Sequence, residues 1–170
     1  METLELRLET ASSKTGLRLP FIMAATGKVP VMVVDDGGPN FTAATNGAWI
    51  KFGREWCEKA CDDNDKLFGL MLHERMHILF MHMFRRDGRD PGLWNTANDA
   101  IINRNIKDMG YSLPEGGVDI DWVRADMSSE EVYDQLKKEQ PPPPPNGRGR
   151  NAAPLRSPAG SRGSGNCSGR

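Results

Sequence analysis

Between Leu67 and Met81 the chain is apolar almost throughout, yet His73, Glu74, Arg75 and His77 interrupt it. One reading fits such a segment: a helix sunk into a core, with one face turned toward something polar. His73 and His77 are four residues apart, so both imidazoles lie on that face and can reach one metal ion. Glu74 projects to the side, where a water activated by such an ion would sit. The pattern is H-E-x-x-H, and it points to hydrolysis by metal-activated water, with Glu74 as general base. All three histidines of the chain, His73, His77 and His82, fall in or directly after this one segment.

A catalytic zinc takes three protein ligands and leaves a fourth position open. Four residues compete for the third place. His82 follows His77 by five, with no glycine between them. On a continuing helix it points roughly 140° away from His77, at about 100° per residue, and so reads as a packing or outer-shell histidine. Asp99 is the choice. It lies on the next expected helix with Asn95 and Asn103 one turn away on either side, a polar stripe built of mediocre helix formers. Asp90 suits a helix cap better, and Asp87 falls in the turn.

The surrounding elements follow from local signals. The segment at about 3–12 alternates leucine with charge like a strand but has a helical composition, and either is open. Residues 30–35 read as a buried strand. Asn46-Gly47 between 42–45 and 48–52 is a hairpin signal, and the strand around Ala48–Phe52 is the candidate open edge for an extended peptide. A short helix is expected at 54–61. The long helix should run from 64 to 86, capped by an aspartate or asparagine of 62–65 and stopped at Gly88, with Arg85 and Arg86 in its last turn. Asp90 and Pro91 open the next helix, to about 108, with Trp94, Ala97, Ile101 and Ile102 as its core stripe. Ser128 to Glu131 is a capping box for a last helix at 129–139. Tyr111 is the one candidate for an oxyanion donor, with packing as its plainer role.

Composition sets the outer bounds. Residues 1–140 hold 17 Lys and Arg against 23 Asp and Glu, whereas 141–170 hold five arginines and no acid. The acidic body does not suit a dedicated nucleic-acid role. No charge-free span is long enough for a bilayer, and the first residues do not read as a signal peptide. The cysteines form no C-x-x-C pair, so Cys57 and Cys61 read as buried helix residues and a cytoplasmic protein is the default. From Pro141 five prolines are followed by a Gly-, Arg- and Ser-rich run with no apolar period. The expectation is a domain at 1–139 and a disordered tail at 140–170, the end of the gene or a shortened form of something longer.

The ordered run of motifs resembles a known family. Pro20-Phe21, Thr42 to Gly47, Leu72-His73-Glu74 with His77 and His82, Arg89-Asp90-Pro91 with Leu93-Trp94-Asn95, Ala97, Asp99 and Ile102-Asn103, Leu113-Pro114, and Met127 to Tyr133 carry the likeness. Together they are similar to the putative metallopeptidase domain found ahead of von Willebrand A-like domains in bacteria and phages. The resemblance covers about residues 20–136. It implies an α+β, zincin-like fold, in which a small twisted sheet lies over the active-site helix. It also implies His73, His77 and Asp99 as Zn2+ ligands, Glu74 as catalytic base, and a protein or peptide substrate. The competing expectation is a metal-binding interaction module without turnover, docking a protein partner through its Pro-rich tail. A purely structural zinc, however, has no use for Glu74 and prefers four protein ligands.

Overall fold

The computed structural model describes residues 2–35 and 37–139. The expected tail at 140–170 lies outside the described residues. The architecture is α+β. Among the described residues, six helices surround a three-stranded mixed sheet: α1 (Leu4–Arg18), α2 (Pro20–Thr26), β1 (Val31–Val34), β2 (Ala43–Thr45), β3 (Ile50–Gly53), α3 (Arg54–Ala60), α4 (Asn64–Leu79), α5 (Pro91–Asp108) and α6 (Ser129–Glu139).

The ambiguous first segment is helical. Leu4, Leu8, Ala11 and Thr15 are buried while Leu6 is half exposed, which is the spacing of one helix face. The alternation of leucines suited a strand and the composition a helix; the helix is what buries this set.

The Asn46-Gly47 hairpin forms as expected. The Asn46 side-chain oxygen accepts from the Ala48 and Trp49 amides, and Gly47 takes φ +88°, a conformation that glycine adopts without strain. The sheet order is β1-β3-β2, with β3 parallel to β1 and antiparallel to β2. This corrects one expectation. The strand around Ala48–Phe52 is central and paired on both sides, so it offers no edge. The edges are β1 and β2, and β2 is the one that lines the cleft beside α4. The Gly53 amide donates to the Thr42 carbonyl, and in the Ala43↔Phe52 register the alternation of an antiparallel ladder turns the N–H and C=O of Ala43 and Thr45 away from β3.

Helix α4 is the spine of the main core. Leu67 to Leu72 are buried on all its sides, in a core where α4 meets α1, α2, α5 and β2. Its start is as expected: Asp63 caps it, the carboxylate accepting from the Lys66 amide at 2.6 Å. At Gly69 the loop through Ser112 crosses so closely that a Cβ would lie 1.9 Å from the Ser112 carbonyl oxygen. That approach brings Leu113 and Pro114 beside the histidines.

The end of α4 differs from expectation. It stops at Leu79, not near 86, and Arg85, Arg86 and Gly88 lie in the connection beyond it. The stop is a Schellman motif with methionine in the left-handed position: Met81 has φ +56°, its amide donates to the Ile78 carbonyl, and the His82 amide donates to the His77 carbonyl. Glycine is the usual residue there, so Met81 carries a cost of about 1–2 kcal/mol. Tertiary bonds hold the turn. Arg85 donates to the Phe80 carbonyl at 2.9 Å, and the Trp94 indole donates to the His82 carbonyl at 3.1 Å.

Helix α5 begins with Asp90 capping the Leu93 amide and Pro91 at its first position, and Gly110 follows its end at φ +78°. Trp94, Ala97 and Ile101 face a second core shared with α6 and Val123, while Ile102 joins the first. Helix α6 opens with the expected capping box. The Ser128 amide donates to the Glu131 carboxylate at 2.7 Å, and the Glu131 amide donates to the Ser128 hydroxyl at 3.2 Å. No described helix is long and apolar enough to cross a membrane.

Candidate metal centre

The five motif residues occupy one stretch of α4, and α5 crosses beside them. His73 Nε2 lies 3.0 Å from His77 Nε2. Asp99 Oδ1 lies 3.1 Å from His77 Nε2 and 3.6 Å from His73 Nε2. Among the described residues these three form the one cluster of histidine, cysteine and carboxylate groups with ligand geometry for a metal. Asp87, Asp90, Cys57 and Cys61 are not in it. Cys57 and Cys61 are buried in the main core. Tyr111 is not brought to the site; it packs edge-on against Phe68.

The donor set suits a tetrahedral ion. Metal–ligand bonds of about 2.0–2.1 Å place neighbouring tetrahedral ligand atoms about 3.3 Å apart, and the three separations bracket that value. Asp99 Oδ1 is buried, within ion-pair distance of His77, and makes no hydrogen bond. A buried carboxylate oxygen without a hydrogen-bond partner beside two imidazole nitrogens is the condition a cation relieves. Asp99 Oδ2 accepts from the Asn95 amide at 2.9 Å, so the carboxylate is held by the stripe expected around it.

Each imidazole is oriented from behind. Asn103 Nδ2 donates to the Val118 carbonyl at 2.8 Å, which turns its Oδ1 toward His73 Nδ1, also at 2.8 Å. The network therefore assigns the His73 proton to Nδ1 and leaves Nε2 free toward His77 and Asp99. His77 Nδ1 meets His82 Nδ1 at 3.1 Å, and His82 Nε2 meets the Ser129 hydroxyl at 3.1 Å. Both ring nitrogens of His82 are engaged, and it lies outside the His73–His77–Asp99 group. The reason differs from the expected one: the helix has stopped, and the turn brings His82 back over His77.

Charge follows from burial and neighbours. Burial works against the charged form of His73, but Asp99, Glu74 and Asn103 outweigh it and raise its pKa. Burial alone would raise Asp99; the His73 and His77 rings beside Oδ1 instead hold its carboxyl well below the usual range. Burial also pushes the Glu74 carboxyl up, against the pull of the two histidines. Glu74 is only 5% exposed and faces the same cleft.

That cleft has a volume of about 700 Å³. Its walls are the motif face of α4, the Asn95–Asp99 face of α5 and strand β2, and residues 113–118 close one end. Asn98 lines it too, buried, with an Oδ1 that has no hydrogen-bond partner. Sequence reasoning singled out neither Asn98 nor Ser129. Asn98 looks like one more polar residue of α5, and Ser129 is hidden inside a capping box.

A family model described as a putative metallopeptidase domain matches residues 3–170, and the chain belongs to that family. This is the family its motifs resemble. Membership implies a metal cofactor, and the His73–His77–Asp99 group can bind one. No curated protein and no solved structure matches the chain.

Proposed function

We propose that the chain is a zinc-dependent, zincin-like metallopeptidase that hydrolyses peptide bonds with Glu74 as general base. The observation that carries this is the convergence of His73, His77 and Asp99 with a buried glutamate in one cleft. His73 Nε2, His77 Nε2 and Asp99 Oδ1 would hold the ion. Zinc bound there would supply Lewis acidity, polarising a scissile carbonyl and acidifying an attacking water. Glu74 takes the proton from that water and passes it to the departing amine. Its raised pKa suits a group that must both accept and release a proton near neutrality.

Strand β2 is the natural rail for the substrate. It is the sheet edge that lines the cleft, and the outward main-chain groups of Ala43 and Thr45 can pair with an extended peptide. The buried position of Glu74 weighs against an interaction module, because burying a carboxylate with no structural partner serves no docking surface.

The test pairs metal content with hydrolysis. Glu74→Gln keeps its shape and the ligands, so it should retain zinc and lose cleavage of an unfolded protein such as casein by on the order of 10³-fold. Equal turnover by that variant would end the mechanism.

A further inference from the structure

The stop of α4 does more than end a helix. Met81 sits in a left-handed conformation that methionine rarely adopts. The consequence is that His82 bonds to His77 twice, once from its amide to the His77 carbonyl and once ring to ring. Strain of this kind persists only where surrounding contacts over-determine it. Here those contacts come from α5 and α6: the Trp94 indole on the His82 carbonyl, Ser129 on the His82 ring, and Glu130 paired with Arg85, which itself holds the Phe80 carbonyl.

We propose that His82 and Ser129 form a positioning relay that presents His77 to the metal and ties the metal centre to the N-terminus of α6. The inference rests on the metal reading above. The proton order is fixed by what each end requires. His77 must keep Nε2 free toward Asp99 and His73, so its Nδ1–H donates to His82 Nδ1. His82 then carries its proton on Nε2 and donates it to the Ser129 oxygen. Each atom in this order has a partner at 3.1 Å, and His82 is 3% exposed. A metal-bound histidine is usually oriented by a carboxylate, a carbonyl or water. Here His77 is oriented by a second imidazole and His73 by the Asn103 amide. Both orienters are neutral, and Asp99 is the carboxylate that touches the two ligand rings.

The relay makes α6 part of the site. Ser129 is the first residue of α6, seated by the Ser128–Glu131 capping box, so docking of that helix sets how firmly His77 is held.

The experiment uses the full chain with three variants. Ser129→Ala removes the acceptor of the His82 proton. His82→Phe keeps an aromatic ring against Phe80 and Trp94 but removes the acceptor for His77. His82→Asn returns a side-chain oxygen near the position of Nδ1. Zinc affinity is read by competition with a chromophoric chelator, ligand geometry by the visible spectrum of the Co2+-loaded protein, and folding by thermal melting of the metal-free protein. Ser129→Ala and His82→Phe should weaken zinc binding by about 10-fold or more and alter the Co2+ spectrum, with metal-free melting held. His82→Asn should recover most of the affinity. Wild-type affinity and spectrum in Ser129→Ala and His82→Phe would overturn the relay while leaving the metal site standing. An affinity loss matched by collapse of metal-free melting would reduce both residues to packing. Failure of the wild-type chain to take zinc would instead remove the reading on which the relay rests.

Discussion

The two ends of α4 are built on different principles. At the start, the expected kind of capping side chain closes the turn: Asp63 accepts from the Lys66 amide, and Arg7 of α1 reinforces it by donating to the Cys61 and Asp63 carbonyls and to Asn64. At the finish, the backbone turns left at Met81, and bonds from Arg85, Trp94 and Ser129 keep it there. The first end is remote from the cleft; the second carries His77 and His82. Local preference governs the end that only has to start a helix. It is overruled at the end that has to place a histidine, which is where conflict between local and global signals is expected.

The contrast can be broken by substitution. The largest effect should come from Met81→Val, because a β-branched residue resists the left-handed conformation more than methionine does. We expect a loss of about 2 kcal/mol in chemical unfolding, together with weaker zinc binding, as His82 leaves His77. Met81→Gly relieves the strain and should instead gain about 0.5 kcal/mol, with zinc affinity kept. If both variants bind and unfold as wild type does, the turn is not under strain.

Asp63→Ala should cost about 1 kcal/mol through the lost cap and leave zinc affinity unchanged. A fall in affinity would mean that the two ends are coupled through the helix and the contrast is false. The smallest effect concerns the cap of α6. Hydrogen bonds from the Ser128 amide and hydroxyl lower the Glu131 pKa from its ordinary 4.5. A depressed carboxyl stabilises the fold above about 4.5 and loses that contribution as pH falls below it. Glutamine can close the same box without titrating. Glu131→Gln should therefore show a slightly shallower loss of melting temperature than wild type between pH 5 and pH 3, on the order of a degree. Identical slopes would show that the Glu131 charge adds nothing to the pH dependence.

The same division explains what could be read from the residues. Caps made by side-chain type were legible: Asp63, Asp90 before Pro91, Gly110, and Ser128 with Glu131. So was the hairpin at Asn46-Gly47, because few other residues take its positive φ. The clustering of His73, His77 and Asp99 was legible because two helices joined by a short connection must lie side by side. The early stop of α4 was not. Methionine carries no stop signal, Gly88 does, and the bonds that decide between them come from residues up to α6. The direction of His82 failed with it, since the 140° rested on a helix that does not continue. The edge strand was misplaced because the hairpin signal names two strands without saying which one takes β1 as its other neighbour.

The central claim is that His73, His77 and Asp99 together hold one ion. Elemental mass spectrometry of the purified wild-type chain and of Asp99→Ala, each supplied with zinc and then desalted, tests it most directly. About one zinc per wild-type chain is expected, with its loss or marked weakening in the variant. No retained zinc in the wild type, or equal retention in both proteins, would contradict it.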